Sequence, residues 1–99
     1  MNQAEFSGKV ALVTGAGKNI GRSIALTLAA AGAAVAVNTR ASREEAQAVV
    51  DEIAAAGGQA ALFMADVADP AAVQAMVDGV VARFGRLDML VLNLSLIHI

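Results

Sequence analysis

The sequence predicts an α/β fold, a doubly wound parallel sheet that ends after a fourth strand, with strand order 3-2-1-4 and helices on both faces. Three observations predict it. Short apolar runs alternate with stretches of helical period in the order β-α-β-α-β-α-β. Strands joined through helices of this length need crossovers, which are right-handed and lay the helices on the sheet. The composition agrees: 58% of residues are hydrophobic, 3% are aromatic and about a quarter are alanine. Small side chains let helices press closely onto a sheet, although each one buries little area.

Each element can be justified in turn. Lys9–Thr14 is a short apolar run that stops at Gly15, as a buried strand does. Ile20, Ile24, Leu28 and Ala31 recur at helical spacing and stop at Gly32. Ala34–Asn38 reads as the second strand. Ser42, with Glu45 three positions on, reads as a capping box that opens the second helix, whose apolar face is Ala46, Val49, Val50 and Ile53. Gly57 and Gly58 end it. Gln59–Ala65 is the third strand. Asp69 and Pro70 read as N-cap and first helical residue of the third helix. Val73, Met76, Val77, Val80, Val81 and Phe84 form its stripe, closed by Gly85. Leu87–Leu92 is the fourth strand, with Asp88 near its start. Met64, Met76 and Met89 are expected to pack in the core.

Composition also excludes function classes. Charged residues are 16% of the chain and the net charge is −2, with Lys and Arg scattered, so the footprint of a nucleic-acid binder is missing. Cysteine is absent, which removes disulfides, thiolate metal sites and cysteine nucleophiles. His98 has no partner cluster, and no metal is expected. No apolar run approaches the ~18 residues of a membrane span. No signal peptide is read at the N-terminus, and a cytoplasmic protein with no membrane partner is expected.

The turn Thr14-Gly-Ala-Gly-Lys-Asn-Ile-Gly21 lies between the first strand and the first helix. A dinucleotide pyrophosphate can rest on such a helix N-terminus, where small residues let the backbone approach. The G-x-G-x-x-G spacing is not met: Gly15 and Gly17 fit, but Ile20 stands at the third position. No Gly-Lys-Ser/Thr follows, so a P-loop is not met either. On the turn alone, a tight strand-to-helix connection without a ligand stays open.

At this point the sequence resembles the short-chain dehydrogenase/reductase family, whose Rossmann-like turn is T-G-x-x-x-G-x-G. Thr14, Gly15 and Gly21 match, and Asn19 stands where the middle glycine is usual. Asn is the residue after glycine that best tolerates positive φ. Asp66-Val67 follows the third strand, where the family's acidic residue binds the adenine amino group. Leu87–Val91 resembles the family's fourth strand, which leads into N-N-A-G. Here that motif reads Leu92-Asn93-Leu94-Ser95, and Asn93 alone matches, at a position near the cofactor ribose. The resemblance covers residues 7–93 and implies that Gly15, Gly17, Lys18, Asn19, Ile20, Gly21, Arg40, Asp66, Val67 and Asn93 bind the cofactor. Without it, Asp66 reads as a turn residue before the third helix.

An NAD site usually places an acid about 20 positions past the glycines to hold the ribose 2′-hydroxyl. Here that stretch reads Asn38-Thr39-Arg40, with Lys18 on the same side. Two cations where an acid is needed favour a 2′-phosphate, hence NADP over NAD, the alternative being that both are solvated surface charges.

The resemblance further implies an oxidoreductase that moves a hydride between nicotinamide and a small carbonyl or alcohol substrate, as a homo-oligomer. The family uses a Ser and a Tyr-x-x-x-Lys for catalysis. This chain has no Tyr, and Ser7, Ser23, Ser42 and Ser95 do not stand at the end of a fifth strand. No catalytic residue is therefore assigned, and the 99 residues alone are expected to be inactive. Residues 1–93 read as the N-terminal part of an NAD(P)-binding domain. Residues 94–99 depart from the family pattern. They back-translate to CTG-TCT-CTT-ATA-CAC-ATC, which resembles the transposon mosaic-end adaptor of sequencing libraries, and are expected to be a non-native tail. A dinucleotide-binding module without chemistry remains the alternative. A flavodoxin-like or receiver-like domain would need a fifth strand and an acidic cluster at the end of the first strand, where Leu12-Val13-Thr14 offers none.

Overall fold

The computed structural model describes residues 5–15 and 19–92. Seven elements follow one another: β1 Val10–Val13, α1 Asn19–Ala30, β2 Ala34–Thr39, α2 Arg43–Ala55, β3 Ala60–Met64, α3 Pro70–Phe84 and β4 Met89–Val91. The strands form one parallel sheet in the order β3-β2-β1-β4, as the sequence predicts. No described helix is long and apolar enough to cross a membrane.

Topology divides the core in two. A chain that winds from β1 through β2 to β3 by right-handed crossovers puts both intervening helices on one face. The return to β4, beyond β1, puts α3 on the other. Side chains alternate along each strand accordingly. Val13, Val35 and Val37 pack with Ala25 of α1 and with Ala46, Val49 and Ile53 of α2. Val10, Leu12 and Ala36 pack with Met76 and Val80 of α3. Each such Val, Leu or Ile contributes about 1.5–3 kcal/mol by leaving water.

Helix α3 ends as its residues dictate. Asp69 Oδ1 accepts from the N–H groups of Ala71 (3.0 Å) and Ala72 (3.4 Å), and Pro70 follows at the first helical position. At the other end Gly85 takes φ 86°, a left-handed conformation, and its N–H donates to Val81 O.

Several expectations need correction. Strands β1, β3 and β4 are shorter than the apolar runs: Lys9, Thr14, Gln59, Ala65, Leu87, Asp88 and Leu92 lie outside them, while β2 extends to Thr39. Ser42 precedes α2, but its side chain makes no capping hydrogen bond. Its ψ of 57° departs from the extended conformation that places an N-cap oxygen over the helix N–H groups. Its own N–H donates instead to Thr39 Oγ1 at 3.1 Å. Val81 is exposed, because it lies about 100° round the helix from buried Val80. Met64 is exposed at the end of edge strand β3. The expectations for Gly17, Lys18, Asn93 and the tail 94–99 fall outside the described residues.

Strand β4 is attached at both ends by side chains. The Val10 N–H donates to Asp88 Oδ2 (2.8 Å), and the Asp88 N–H donates to Val10 O (2.9 Å). Arg86 binds Asp88 Oδ1 through Nε (3.0 Å) and Nη2 (2.7 Å). The Arg86 bond first, and then the Val10 N–H, hold the Asp88 carboxyl below its ordinary pKa. At the far end of β4, Thr14 Oγ1 donates to Val91 O at 3.3 Å.

Candidate functional site

All four strands are parallel, so their carboxyl ends share one edge of the sheet. In an open α/β sheet the ligand crevice lies outside that edge, where the strand order reverses. The reversal here falls between β1 and β4, which flank the chain's only switch in direction among the described strands.

The exit from β1 is the glycine turn. Thr14 is buried, and its N–H donates to Val91 O at 3.0 Å, which anchors the turn to β4. Gly15 follows with φ 62°, a conformation that side chains with a Cβ rarely adopt. Asn19 opens α1, whose first turn holds no acidic residue to compete with an incoming anion. Gly21 is buried within that turn. Ile20 is 68% exposed, an unusual place for a large apolar residue.

The exit from β2 carries Arg40, exposed and unpaired with any described residue. Thr39 beneath it is buried and accepts the Ser42 N–H, which fixes the loop between β2 and α2. The exit from β3 carries Asp66 and Val67. Asp66 Oδ1 accepts the Ala68 N–H at 2.9 Å, and Asp66 O accepts the Asp69 N–H at 3.0 Å. Asp66 therefore does serve the turn before α3, as its residue type alone implied. An ionised carboxylate has about four acceptor positions, so this bond leaves Oδ2 available to a ligand. Val67 is 37% exposed.

The pairing of Thr39 with Met64 places the exits of β2 and β3 side by side, which brings Arg40 and Asp66 to neighbouring strand ends. Asn38 is the residue that sequence reasoning missed. It is buried, and its Nδ2 donates to Phe63 O (3.1 Å) and Ala65 O (3.2 Å). The available signal was a polar residue closing an apolar run, at the point where a strand meets a loop.

A concavity of ≈ 1120 Å³ opens at the opposite, amino edge, lined in part by Lys9, Glu52, Gly58, Gln59 and Arg83. Two of its charged residues already have partners: Glu52 pairs with Arg22 at 2.7 Å, and Arg83 lies over the Phe84 ring. Volume there is not accompanied by convergent, unused polar groups, so the carboxyl edge is the stronger candidate.

The model of the short chain dehydrogenase family matches residues 9–98. The chain is 50% identical over 90 residues to an uncharacterized oxidoreductase of Methylorubrum extorquens, covering 91% of this chain and 36% of that protein. It is 55% identical over 85 residues to a 3-oxoacyl-(acyl-carrier-protein) reductase of Staphylococcus aureus, covering 86% of this chain and 35% of that protein. It therefore spans about a third of the length of the curated relatives it matches. Among solved structures, a short chain dehydrogenase from Burkholderia cenocepacia in complex with NADP is 51% identical with a TM-score of 0.84, over 87% of this chain and 35% of that one. A metagenomic short-chain oxidoreductase, also in complex with NADP, is 43% identical with a TM-score of 0.81, over 87% of this chain and 38% of that one.

Proposed function

The chain belongs to the short chain dehydrogenase family, and we propose that the whole protein is an NADP-dependent oxidoreductase acting on a small carbonyl or alcohol substrate. The observation that carries this reading is the pair of adjacent strand exits: β2 ends in Asn38-Thr39 and leads to an exposed Arg40, with no acid at its own end, and β3 leads to Asp66. An acid at the end of β2 would repel a 2′-phosphate, whereas a guanidinium there forms charge-assisted bonds with it. Two similar structures are NADP complexes, which supports the same cofactor.

The residues present fit such a group. The start of α1, with Gly15, Gly17, Lys18, Asn19, Ile20 and Gly21, would hold the pyrophosphate on backbone N–H groups and the positive end of the helix. Asp66 would accept the adenine amino group through its remaining oxygen, with Val67 against the base. Arg40 and Lys18 would hold the 2′-phosphate, and Asn93 the ribose. When bound, the nicotinamide supplies or accepts the hydride.

Reduction of a carbonyl also needs a proton at the oxygen, from a group whose pKa is brought toward neutrality. The 99 residues contain no tyrosine. We assign that proton to a Tyr-x-x-x-Lys in the two thirds of the relatives' length that this chain does not span, and expect the whole protein to be a homo-oligomer. Residues 94–99 remain in our reading a foreign tail, which genomic sequence across codon 93 would test.

The test of function is NADPH consumption against a panel of carbonyl compounds. The protein of the relatives' length is expected to oxidise NADPH, while the 99-residue chain binds it without turnover. Turnover by the 99-residue chain would refute the assignment of the proton donor. Binding without turnover in the longer protein would favour a non-catalytic dinucleotide-binding module.

A further inference from the structure

Asn38 stands next to last in β2 and is 2% exposed. A carboxamide so placed costs free energy unless it is paired. Both of its bonds go to β3. Phe63, whose carbonyl accepts one, is its partner in the sheet register. Ala65, whose carbonyl accepts the other, lies one residue beyond the end of β3. A backbone bond from the Ala65 N–H to Thr39 O (3.1 Å) closes the ladder between the two strands, and β2 ends there. The Asn38 amide reaches past that rung and grips the chain where it leaves the sheet.

That grip acts directly on Asp66. The Ala65 carbonyl and the Asp66 N–H belong to one planar peptide unit, so fixing the oxygen fixes the plane from which Asp66 departs. Beyond it the turn is held by Asp66 itself, through the bonds to Ala68 and Asp69. Asp66 is thus located from both sides, by Asn38 upstream and by its own turn downstream. We infer that Asn38 is a positioning residue for adenine recognition: through the Ala65–Asp66 peptide it aims the carboxylate that accepts the adenine amino group. The inference rests on the role proposed for Asp66.

The experiment compares binding of NADPH with binding of its hypoxanthine analogue, in which a carbonyl oxygen replaces the adenine amino group. A carboxylate aimed at that position favours the amino form, and the unaltered protein is expected to bind NADPH about tenfold more tightly. Asp66→Ala sets the ratio without the carboxylate. Asn38→Ala is expected to bring the ratio to within about threefold of that floor, chiefly by weakening NADPH. General loosening of the fold weakens both nucleotides equally, so an Asn38→Ala protein that retains the full ratio overturns the inference. If Asn38→Ala does not fold, Asn38→Ser, with one shorter donor, carries the same comparison. An unaltered protein that does not discriminate overturns the reading of Asp66 first, and this inference with it.

Discussion

At the amino edge of the sheet, Asp88 is bound to Arg86 and the Val10 N–H, and Glu52, near the end of α2, reaches Arg22 of α1. At the carboxyl edge the buried polar residues Thr14, Asn38 and Thr39 hold the loops, while exposed Arg40 is left without a described partner. The wide concavity belongs to the first edge and the candidate ligand groups to the second. Helix polarity explains part of the difference. Each helix follows a strand, so the helix N-termini gather at the carboxyl edge and offer partial positive charge to a phosphate. The C-termini gather at the amino edge and offer the reverse. A concave surface is therefore a poorer guide to a site than the sign of the dipoles and the side chains left over after folding.

If the edges are specialised in this way, damage at the amino edge should reach stability without reaching nucleotide binding. The largest effect is expected for Gly58→Ala. A Cβ there would stand 2.8 Å from Ile53 Cγ2 and 3.3 Å from the Ile53 carbonyl oxygen, and Ile53 is buried. Overpacking of this kind costs about 2 kcal/mol. Chemical denaturation should show that loss, while NADPH affinity measured where the variant is folded should stay unchanged. A matching loss of affinity would break the separation of the two edges.

A smaller and pH-dependent effect is expected for Asp88→Asn. The folded state holds the Asp88 carboxyl below its ordinary pKa, chiefly through the bond to Arg86. The stability this contributes is present above the unfolded value of about 3.9 and is lost as pH falls through the lower folded value. The variant should melt below the unaltered protein at neutral pH, and the gap should close as the pH is taken below the ordinary carboxylate range. A gap that persists there would show that the Asp88 charge contributes nothing. Arg86 is more than half exposed, so solvent screening keeps the whole effect small.

The fold was legible because its signals are local. Periods of two and of 3.6, and glycines at the ends of helices, need no knowledge of distant residues. Asp69 and Pro70 cap α3 from adjacent positions, and the sequence carries that directly. Ser42 and Glu45 have the spacing of a capping box, yet Thr39 takes the Ser42 N–H and the Ser42 side chain makes no cap. Strands β1, β3 and β4 were overestimated, because an apolar run can continue past the point where the neighbouring strands keep the ladder paired. The site was legible to the extent that residue type carries it: no acid after β2, and an acid after β3. Asn38 was not. Its meaning lies in carbonyls 25 and 27 residues away, and sequence reading saw it only as a position that lacks an acid.

The central claim is that the carboxyl edge selects NADP through Arg40. Fluorescence titration of the protein and of its Arg40→Ala variant with NADPH and with NADH tests it most directly. A charge-assisted contact at an exposed position, after allowance for solvent, is worth about a tenfold change in affinity. The account predicts tighter binding of NADPH than NADH by the unaltered protein, and a roughly tenfold weakening of NADPH in Arg40→Ala with NADH unmoved. Equal weakening of both cofactors, or a preference for NADH in the unaltered protein, would contradict it.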